Sequence, residues 1–372
     1  MHQFFIGLAL GLCLAVPRAF SQDDPPVIEA VSEAITPLMD TGHFPGVAVA
    51  VLRQGTPIHV GTYGYASLTH NVPVSTETVF ELASLTKPMT ALAVMTLAGQ
   101  GKLRAKDGLA DHVSGLPEQW QTITINQLLS HMGGLAHRFE EKPKGEFLLS
   151  YSTDDMLASA KNTPMVSEPG TDWNYSDQGY FLLGLVIEAA SGMSYTEYMQ
   201  QRFFRPLGMT QTRFLDQSAI IPGLAEGYTF KDGELQRNRR VWQFELTPHF
   251  GAHSSLEDLM RWEAALSNNH RISQAAQHAT WKIQRHFSTG ESCRQWGYAR
   301  GWWSREVDGR IIVDHAGYAG TAFIRDVGAG LSVIVLTNRE ESEGQIGPMT
   351  LAWAALNAVD SETPSDGYRC WE

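Results

Sequence analysis

The chain has 372 residues, of which 43% are hydrophobic and 18% are charged, and this composition is typical of a globular protein with a sizeable core. Its net charge is −12 and it contains no block of lysine or arginine, so we expect neither nucleic acid nor an anionic membrane surface as a partner. The length allows one large domain or two interleaved layers.

The first 21 residues have the pattern of a secretory signal peptide. An apolar run from Phe4 to Val16 is followed by small residues around Ala19, and the run is too short to span a bilayer comfortably. We therefore expect residues 1–21 to be cleaved. The mature domain, residues 22–372, is then expected to be secreted or periplasmic, without stable membrane insertion.

Two cysteines, Cys293 and Cys370, remain once Cys13 has left with the signal peptide. Disulfides persist in the compartments that exported proteins reach, but sequence does not say whether these two residues lie close together. Paired and free thiols both stay open as alternatives. Titration of free thiols in the unfolded, non-reduced protein distinguishes them.

Hydrophobic periodicity predicts strands near both termini and a mostly helical middle. The predicted elements are, in order, a helix at 25–40, a hairpin at 47–53 and 56–65, a helix from Ser84 through Leu97, a mainly helical stretch to about 290, strands at 299–306, 310–314, 321–325 and 331–338, and a helix at 347–359. Strands at both ends of the chain predict a single α/β (α+β) domain with one mainly antiparallel sheet flanked by helices. We expect the sheet layer at about 27–80 and 295–359, with a helical subdomain inserted at about 90–290.

Ser84 and Lys87 stand three residues apart at the start of a predicted helix. Residues at this spacing lie on the same face of a helix, so the Lys87 amine can reach the Ser84 hydroxyl. A serine hydroxyl becomes a useful nucleophile when a neighbouring base takes its proton. The helix start also directs free backbone N–H groups toward an anion that forms at Ser84. A serine and a lysine at this spacing are common, so the pair indicates a catalytic site only if other motifs accompany it.

Two such motifs follow, Tyr-Ser-Asp at 175–177 in a loop before a predicted helix, and His-Ala-Gly at 315–317 at the end of a predicted strand. In order and spacing, the three motifs resemble the Ser-x-x-Lys, Tyr-x-Asn and Lys/His-x-Gly motifs of the serine β-lactamase and D-alanyl-D-alanine peptidase superfamily. The resemblance implies the fold of that superfamily and a serine hydrolase.

The resemblance covers roughly residues 27–358. Residues 123–135 are similar to the family's LLTHTSGL segment, and Pro-Leu-Gly-Met at 206–209 matches another family segment. The chain is most similar to the class C branch, which also includes penicillin-binding proteins, esterases of the β-lactamase fold and D-aminopeptidases.

The resemblance implies a role for each matching side chain. Ser84 would attack an ester or amide carbonyl and become acylated. Lys87 and Tyr175 would share the general-base and general-acid work, and the lysine charge would lower the tyrosine pKa. His315 would hydrogen-bond Tyr175 or the substrate.

Backbone groups complete the implied site. The N–H groups of Ser84 and Tyr318 would form an oxyanion hole, and Gly317 would contact the substrate. His131, in the segment similar to LLTHTSGL, is expected to cap a turn.

Asp177 departs from the family pattern, which usually has asparagine at this place. A carboxylate only accepts hydrogen bonds, so it leaves a substrate acylamide carbonyl unpaired. It also stabilises Lys87 as an ammonium and makes it a poorer base. We therefore expect Asp177 to contact the substrate, to disfavour acylamido β-lactams and to favour a free amine.

Three classes of function stay open. The first is a serine hydrolase acting through an acyl-enzyme on a small-molecule ester or a D-amino-acid-containing amide, and the second is a class C-like β-lactamase or peptidoglycan DD-peptidase. The third is a non-catalytic member that binds muropeptides or acts as a scaffold. We expect no cofactor and no metal, although His249 and His253, four residues apart, offer a zinc site as a lesser alternative.

Overall fold

The computed structural model describes residues 25–139, 149–214, 219–238, 242–287, 296–307, 309–342 and 344–361. The predicted signal peptide, Cys293 and Cys370 lie outside these residues. In the described part of the chain, no helix is both long and apolar enough to cross a membrane.

The α-helices are α1 (Pro25–Thr41), α2 (Thr86–Gly99), α3 (Ile125–Leu129), α4 (Thr153–Asn162), α5 (Asp177–Ser191), α6 (Tyr195–Met199), α7 (Leu256–Ser267), α8 (Gln274–Trp281) and α9 (Pro348–Val359). Short 3₁₀ turns lie at Ala83–Leu85, Leu109–Asp111, Glu118–Trp120 and Arg205–Leu207, and a π-helical turn at Gln200–Phe204 continues α6.

The strands are β1 (Gly46–Arg53), β2 (Thr56–Ser67), β3 (Val72–Pro73), β4 (Val79–Glu81), β5 (Leu149–Tyr151), β6 (Arg213–Phe214), β7 (Tyr228–Lys231), β8 (Glu234–Arg237), β9 (Trp242–Phe244), β10 (Ala252–Ser255), β11 (Arg285–Phe287), β12 (Trp296–Tyr298), β13 (Trp303–Val307), β14 (Arg310–Gly317), β15 (Thr321–Asp326) and β16 (Leu331–Thr337).

The large sheet joins the two ends of the chain. Its nine strands run in the order β11-β12-β13-β14-β15-β16-β1-β2-β3, and β1 pairs antiparallel with both β2 and β16. Strands β1, β15 and β16 are buried along nearly their whole length because both faces of the sheet are covered. The prediction of one antiparallel sheet built from both termini and flanked by helices is confirmed.

Two cores lie on opposite faces of this sheet. On one face, α1 and α9 pack over alternate side chains such as Val49 and Val333. On the other face, α2 begins a larger core that also contains α5 and α7. Helix α2 is buried on nearly every side, which its apolar sequence permits.

Two details of the middle and C-terminal regions differ from the sequence analysis. The mainly helical stretch also contains β5 to β11, whose two to four residues are too few to give a readable alternation. The strand predicted at 299–306 starts only at Trp303, because the chain turns at Ala299 to Trp302. Gly301 has φ +78° in this turn, and a Cβ there would lie 2.7 Å from the Cβ of Ala91 in α2.

A buried ion pair attaches α7 to the large sheet. Glu263, which is 0% exposed, accepts hydrogen bonds from Arg325 Nε at 2.7 Å and from Arg325 Nη2 at 3.2 Å. Ser332 Oγ on the neighbouring strand donates to the same carboxylate at 2.8 Å. Both charges are therefore removed from water and depend on each other.

Glu263→Leu is expected to lower the free energy of unfolding by about 3–5 kcal/mol, because it leaves the Arg325 guanidinium buried without its carboxylate. Urea denaturation measures this change. As a control, Asp107→Asn breaks the exposed pair with Arg104 and should cost less than about 1 kcal/mol. An equal decrease in the free energy of unfolding in the two variants would show that the buried pair contributes no more to stability than the exposed one.

Candidate active site

The segment that carries Ser84 is a tight turn fixed on two sides. Ala83 adopts φ +46°, an unusual conformation for a residue with a side chain, and the Thr86 hydroxyl donates to the Ala83 carbonyl at 2.7 Å. Leu82 N donates to Ala252 O in β10 at 2.8 Å. The turn leaves Ser84 half-buried at the start of α2, where solvent and a substrate can reach it.

The Lys87 ammonium is fully buried in the first turn of α2, and it has three acceptors. Its Nζ donates to Ser84 Oγ at 3.1 Å, to Asp177 Oδ1 at 2.7 Å and to the His249 carbonyl at 2.8 Å. An ammonium has three N–H donors, so these partners satisfy it completely. Burial alone would lower the pKa of Lys87, but the negative charge of Asp177 opposes burial and the net effect raises the pKa.

Asp177 is the first residue of α5, after the N-cap Ser176. Burial would raise the pKa of this carboxyl, but the charge of Lys87 opposes burial and the net effect lowers the pKa. The carboxylate is therefore ionised at neutral pH. Its Oδ1 is taken by Lys87, while Oδ2 lies 3.7 Å from Nε2 of His137, and the side chain keeps 24% of its surface exposed.

Tyr175 precedes this helix and lies over Lys87, whose Nζ is 4.7 Å from the centroid of the tyrosine ring. The phenol also interacts with Ser84. The charge of Lys87 lowers the pKa of Tyr175, as expected, but it does not determine the net shift. Burial raises this pKa, and the nearby Asp177 carboxylate adds to burial, so that the two outweigh the effect of Lys87. Both Tyr175 and Lys87 are therefore protonated at neutral pH.

His315 lies at the back of the site near the end of β14, and only 2% of it is exposed. Its Nε2 is 3.3 Å from the Tyr298 hydroxyl, and its Nδ1 is 2.7 Å from the Ala316 carbonyl. The ring centroids of His315 and Tyr175 are 6.3 Å apart. Of the two partners expected for His315, Tyr175 is replaced by Tyr298 and the Ala316 carbonyl, which occupy the two ring nitrogens. A contact of His315 with the substrate stays a prediction. Burial lowers the pKa of His315 to about 3.

The end of β14 lies directly against the Ser84 turn. A Cβ placed on Gly317 would lie 2.0 Å from the Leu82 carbonyl oxygen, and the Thr321 hydroxyl donates to the same oxygen at 2.9 Å. Tyr318 follows immediately and is 52% exposed. The strand can approach the turn this closely only because Gly317 has no side chain. The contributions of Tyr318 N–H and of Gly317 to substrate binding remain predictions.

The sequence analysis missed or undervalued four residues at this site. His131, expected to cap a turn, is buried with its ring centroid 4.3 Å from that of Tyr175. His137 lies at the mouth, and Tyr298 contacts both His131 and His315. His249 holds Lys87 through its backbone carbonyl, which carries no sequence signal. His131 and His137 had a usable signal, since His131 lies within the segment similar to LLTHTSGL and His137 closely follows it.

The suggested zinc site finds no support among the side chains that the structure describes. No group of three or more His, Cys, Asp or Glu side chains is placed there to hold a metal ion. His253 Nδ1 instead lies 3.1 Å from the Gly251 carbonyl.

A serine in the turn before α2 and a buried lysine in the first turn of α2, faced by a tyrosine and by the end of a sheet strand, define a hydrolase of the β-lactamase fold. The chain belongs to the beta-lactamase family, whose sequence model matches residues 31–356. It is 31% identical to penicillin-binding protein 4* of Bacillus subtilis over 318 residues. The matched region covers 80% of this chain and 69% of that protein. It is also 29% identical over 230 residues to protein flp of Staphylococcus aureus, covering 60% of this chain but only 46% of that protein.

Solved structures show the same fold. The octameric penicillin-binding protein homologue from Pyrococcus abyssi superposes with a TM-score of 0.77 and 22% identity, over 91% of this chain and 78% of that one. EstCE1, described as a hydrolase with promiscuous acyltransferase activity, superposes with a TM-score of 0.76 and 21% identity, over 89% of this chain and 98% of that one.

Gly317→Ala is expected to push the end of β14 away from the Ser84 turn, because the new methyl group would collide with the Leu82 carbonyl. We expect a loss of about 1–3 kcal/mol in stability. A shift of about 1 Å at the turn should lower kcat for a p-nitrophenyl ester by about 100-fold. Gly99→Ala at the end of α2 meets no atom within 4 Å and is the matched control. A Gly317→Ala enzyme as active as this control would contradict the role given to the close approach.

Proposed function

We propose that this protein is a serine hydrolase that acts through an acyl-enzyme on an ester or on an amide containing a D-amino acid. The observation that carries the proposal is the 3.1 Å hydrogen bond from the buried Lys87 ammonium to Ser84 Oγ, beside the Tyr175 phenol. A non-catalytic binding protein has no need to keep such a charge buried against a serine hydroxyl. The signal-peptide pattern further suggests that the enzyme works outside the cytoplasm.

The protonation states favour a proton shuttle over a free base. Ser84 Oγ forms a bond to the substrate carbonyl carbon while its proton passes to the Tyr175 oxygen. Tyr175 passes its own proton to the leaving group as the bond between the carbonyl carbon and that group breaks. The Lys87 ammonium stabilises the negative charge that develops on the two oxygens, which is worth most in a site shielded from water.

Deacylation reverses this order. The oxygen of a water molecule forms a bond to the acyl carbon while the water gives one proton to Tyr175. Tyr175 returns a proton to Ser84 Oγ as the bond between the acyl carbon and Ser84 Oγ breaks and the acid product leaves. Backbone N–H groups of Ser84 and Tyr318 would hold the carbonyl oxygen in both steps. EstCE1 is described as a hydrolase with acyltransferase activity, which fits an acyl-enzyme that an alcohol or water resolves.

Asp177 indicates the preferred substrate. Its Oδ1 is occupied by Lys87, so the second oxygen, near His137, is the one that a substrate can meet. A carboxylate oxygen attracts an ammonium and repels a carbonyl oxygen. The preferred substrates are therefore simple esters, or D-amino-acid esters and amides with an unblocked amine.

A second candidate is a class C-like β-lactamase or a peptidoglycan DD-peptidase. It is favoured by the relatedness to a protein named penicillin-binding protein 4*. The carboxylate of Asp177 argues against acylamido β-lactams as good substrates. We expect weak or no hydrolysis of benzylpenicillin.

Ser84→Ala should abolish ester hydrolysis, with a loss in kcat on the order of 10⁶-fold, because it removes the hydroxyl that the proposed mechanism acylates. Mass spectrometry with a slow-turnover ester or a fluorophosphonate should show an adduct on the wild type and none on the variant. Ser191→Ala, at the far end of α5, is the control and should behave as wild type. Turnover that survives in Ser84→Ala would place the nucleophile elsewhere.

Asp177→Asn should improve kcat/KM for acylamido substrates and lower it for amine-bearing ones. A lost contact with a charged partner corresponds to about 10- to 100-fold in kcat/KM. A panel of p-nitrophenyl esters, nitrocefin, and D-alanyl peptides with free or acylated amines measures both changes. Asp172→Asn alters an exposed carboxylate in the loop just before α5 and should shift neither class.

The wild-type result on benzylpenicillin decides the account of Asp177 separately. Efficient hydrolysis of benzylpenicillin, or an Asp177→Asn enzyme with unchanged preference, would mean that the carboxylate is a tolerated variation. The nucleophilic role of Ser84 does not depend on that outcome.

A further inference from the structure

Behind the cleft, four hydrogen bonds run in series through three buried side chains. Ser176 N–H donates to His131 Nδ1 at 3.0 Å, and His131 Nε2 lies 3.1 Å from the Tyr298 hydroxyl. That hydroxyl lies 3.3 Å from His315 Nε2, and His315 Nδ1 lies 2.7 Å from the Ala316 carbonyl. His131, Tyr298 and His315 are at most 2% exposed, so these bonds are shielded from bulk solvent.

The two ends of the series determine its direction. A backbone N–H can only donate, so His131 Nδ1 is the unprotonated nitrogen, and its Nε2–H donates to Tyr298. A carbonyl can only accept, so His315 Nδ1 carries the proton and its Nε2 accepts from the Tyr298 O–H. Both histidines must be neutral, and burial lowers the pKa of each below the ordinary value. Every polar atom in the series is then satisfied in one orientation.

The series links two parts of the site that are distant in sequence. At one end, Ser176 stands between Tyr175 and Asp177, and the His131 ring packs on the Tyr175 ring with centroids 4.3 Å apart. At the other end, His315 belongs to the strand that approaches the Ser84 turn through Gly317. The Tyr298 hydroxyl, on β12, is the only bridge in this series between the two histidines.

We propose that Tyr298 is a positioning residue whose hydroxyl holds His131 and His315 in fixed tautomers and thereby keeps the Tyr175 phenol within proton-transfer reach of Ser84. Tyr298 touches none of the reacting atoms. The proposal rests on the proposed function, because it takes Tyr175 as the proton shuttle. It adds the requirement that a hydroxyl at this buried place is needed for acylation.

The proposal also predicts a change in pH dependence with a definite sign. The Tyr298 O–H donates to neutral His315, and a hydrogen bond to the neutral form keeps the pKa low. The other charged and titratable groups facing His315 are Lys87 from α2, Asp177 from α5, Tyr175, and His131. Removing the Tyr298 hydroxyl leaves these groups in place and raises the pKa of His315. As the pH is lowered, His315 is then protonated sooner, so the variant should lose activity at a higher pH than the wild type does.

Tyr298→Phe tests the proposal, with the rate of fluorophosphonate labelling of Ser84 and ester hydrolysis measured from acidic to alkaline pH. We expect kcat and the labelling rate to fall by roughly 10- to 100-fold with little change in KM, since geometry and not binding is lost. The acidic limb of the profile should move to higher pH. Tyr228→Phe is the matched control, because its buried hydroxyl also accepts one hydrogen bond, from Leu68 N, and donates one, to Glu226.

The outcomes separate the two proposals. If wild-type Ser84 is not labelled at all, the proposed function is refuted. If wild type is labelled and Tyr298→Phe reacts like Tyr228→Phe at every pH, the role of Tyr298 is refuted while the proposed function stands. If Tyr298→Phe fails to fold, ¹⁵N-histidine NMR of the wild type decides: a proton on Nδ1 of His131 or on Nε2 of His315 would overturn the proposal.

Discussion

The ion pair between the buried Lys87 ammonium and the Asp177 carboxylate is the interaction on which the rest of the site depends. A buried ammonium is costly unless it is paired and its hydrogen bonds are satisfied. The three acceptors of Lys87 come from the turn before α2, from the start of α5 and from the chain that leads into β10. The need to satisfy one charge therefore brings together segments far apart in sequence, and the fold and the site share the same contacts.

The same ion pair determines the resting chemistry. Because Asp177 raises the pKa of Lys87, and burial together with Asp177 raises the pKa of Tyr175, Lys87 is an ammonium and Tyr175 a neutral phenol before substrate arrives, and neither is a free base. A close positive charge alone would have suggested a tyrosinate. Burial of the phenol reverses that conclusion and keeps Tyr175 neutral. A neutral Tyr175 can still act as a shuttle, because it accepts one proton and donates another in the same step.

Much of this could be predicted from the sequence, because periodicity and spacing are local properties. The hairpin of β1 and β2, the helix after Ser84 and the closing helix α9 all follow from such patterns, as does the contact between Ser84 and Lys87. The carbonyl of His249 could not be predicted, since backbone acceptors have no residue-type signal. Nor could the series through Tyr298, since its hydroxyl joins two histidines that stand 167 and 17 residues away in sequence.

Backbone strain shows how firmly the surroundings hold these positions. Ala83 and His131 both adopt positive φ, at +46° and +59°. Each such conformation costs about 1–3 kcal/mol and persists only where neighbouring contacts over-determine it. Thr86 provides such a contact for Ala83, and Ser176 with Tyr298 does so for His131. The strained residues are thus held by the groups that orient Ser84 and Tyr175. Loss of one of these hydrogen bonds would let the strained backbone relax and would also displace the catalytic side chains.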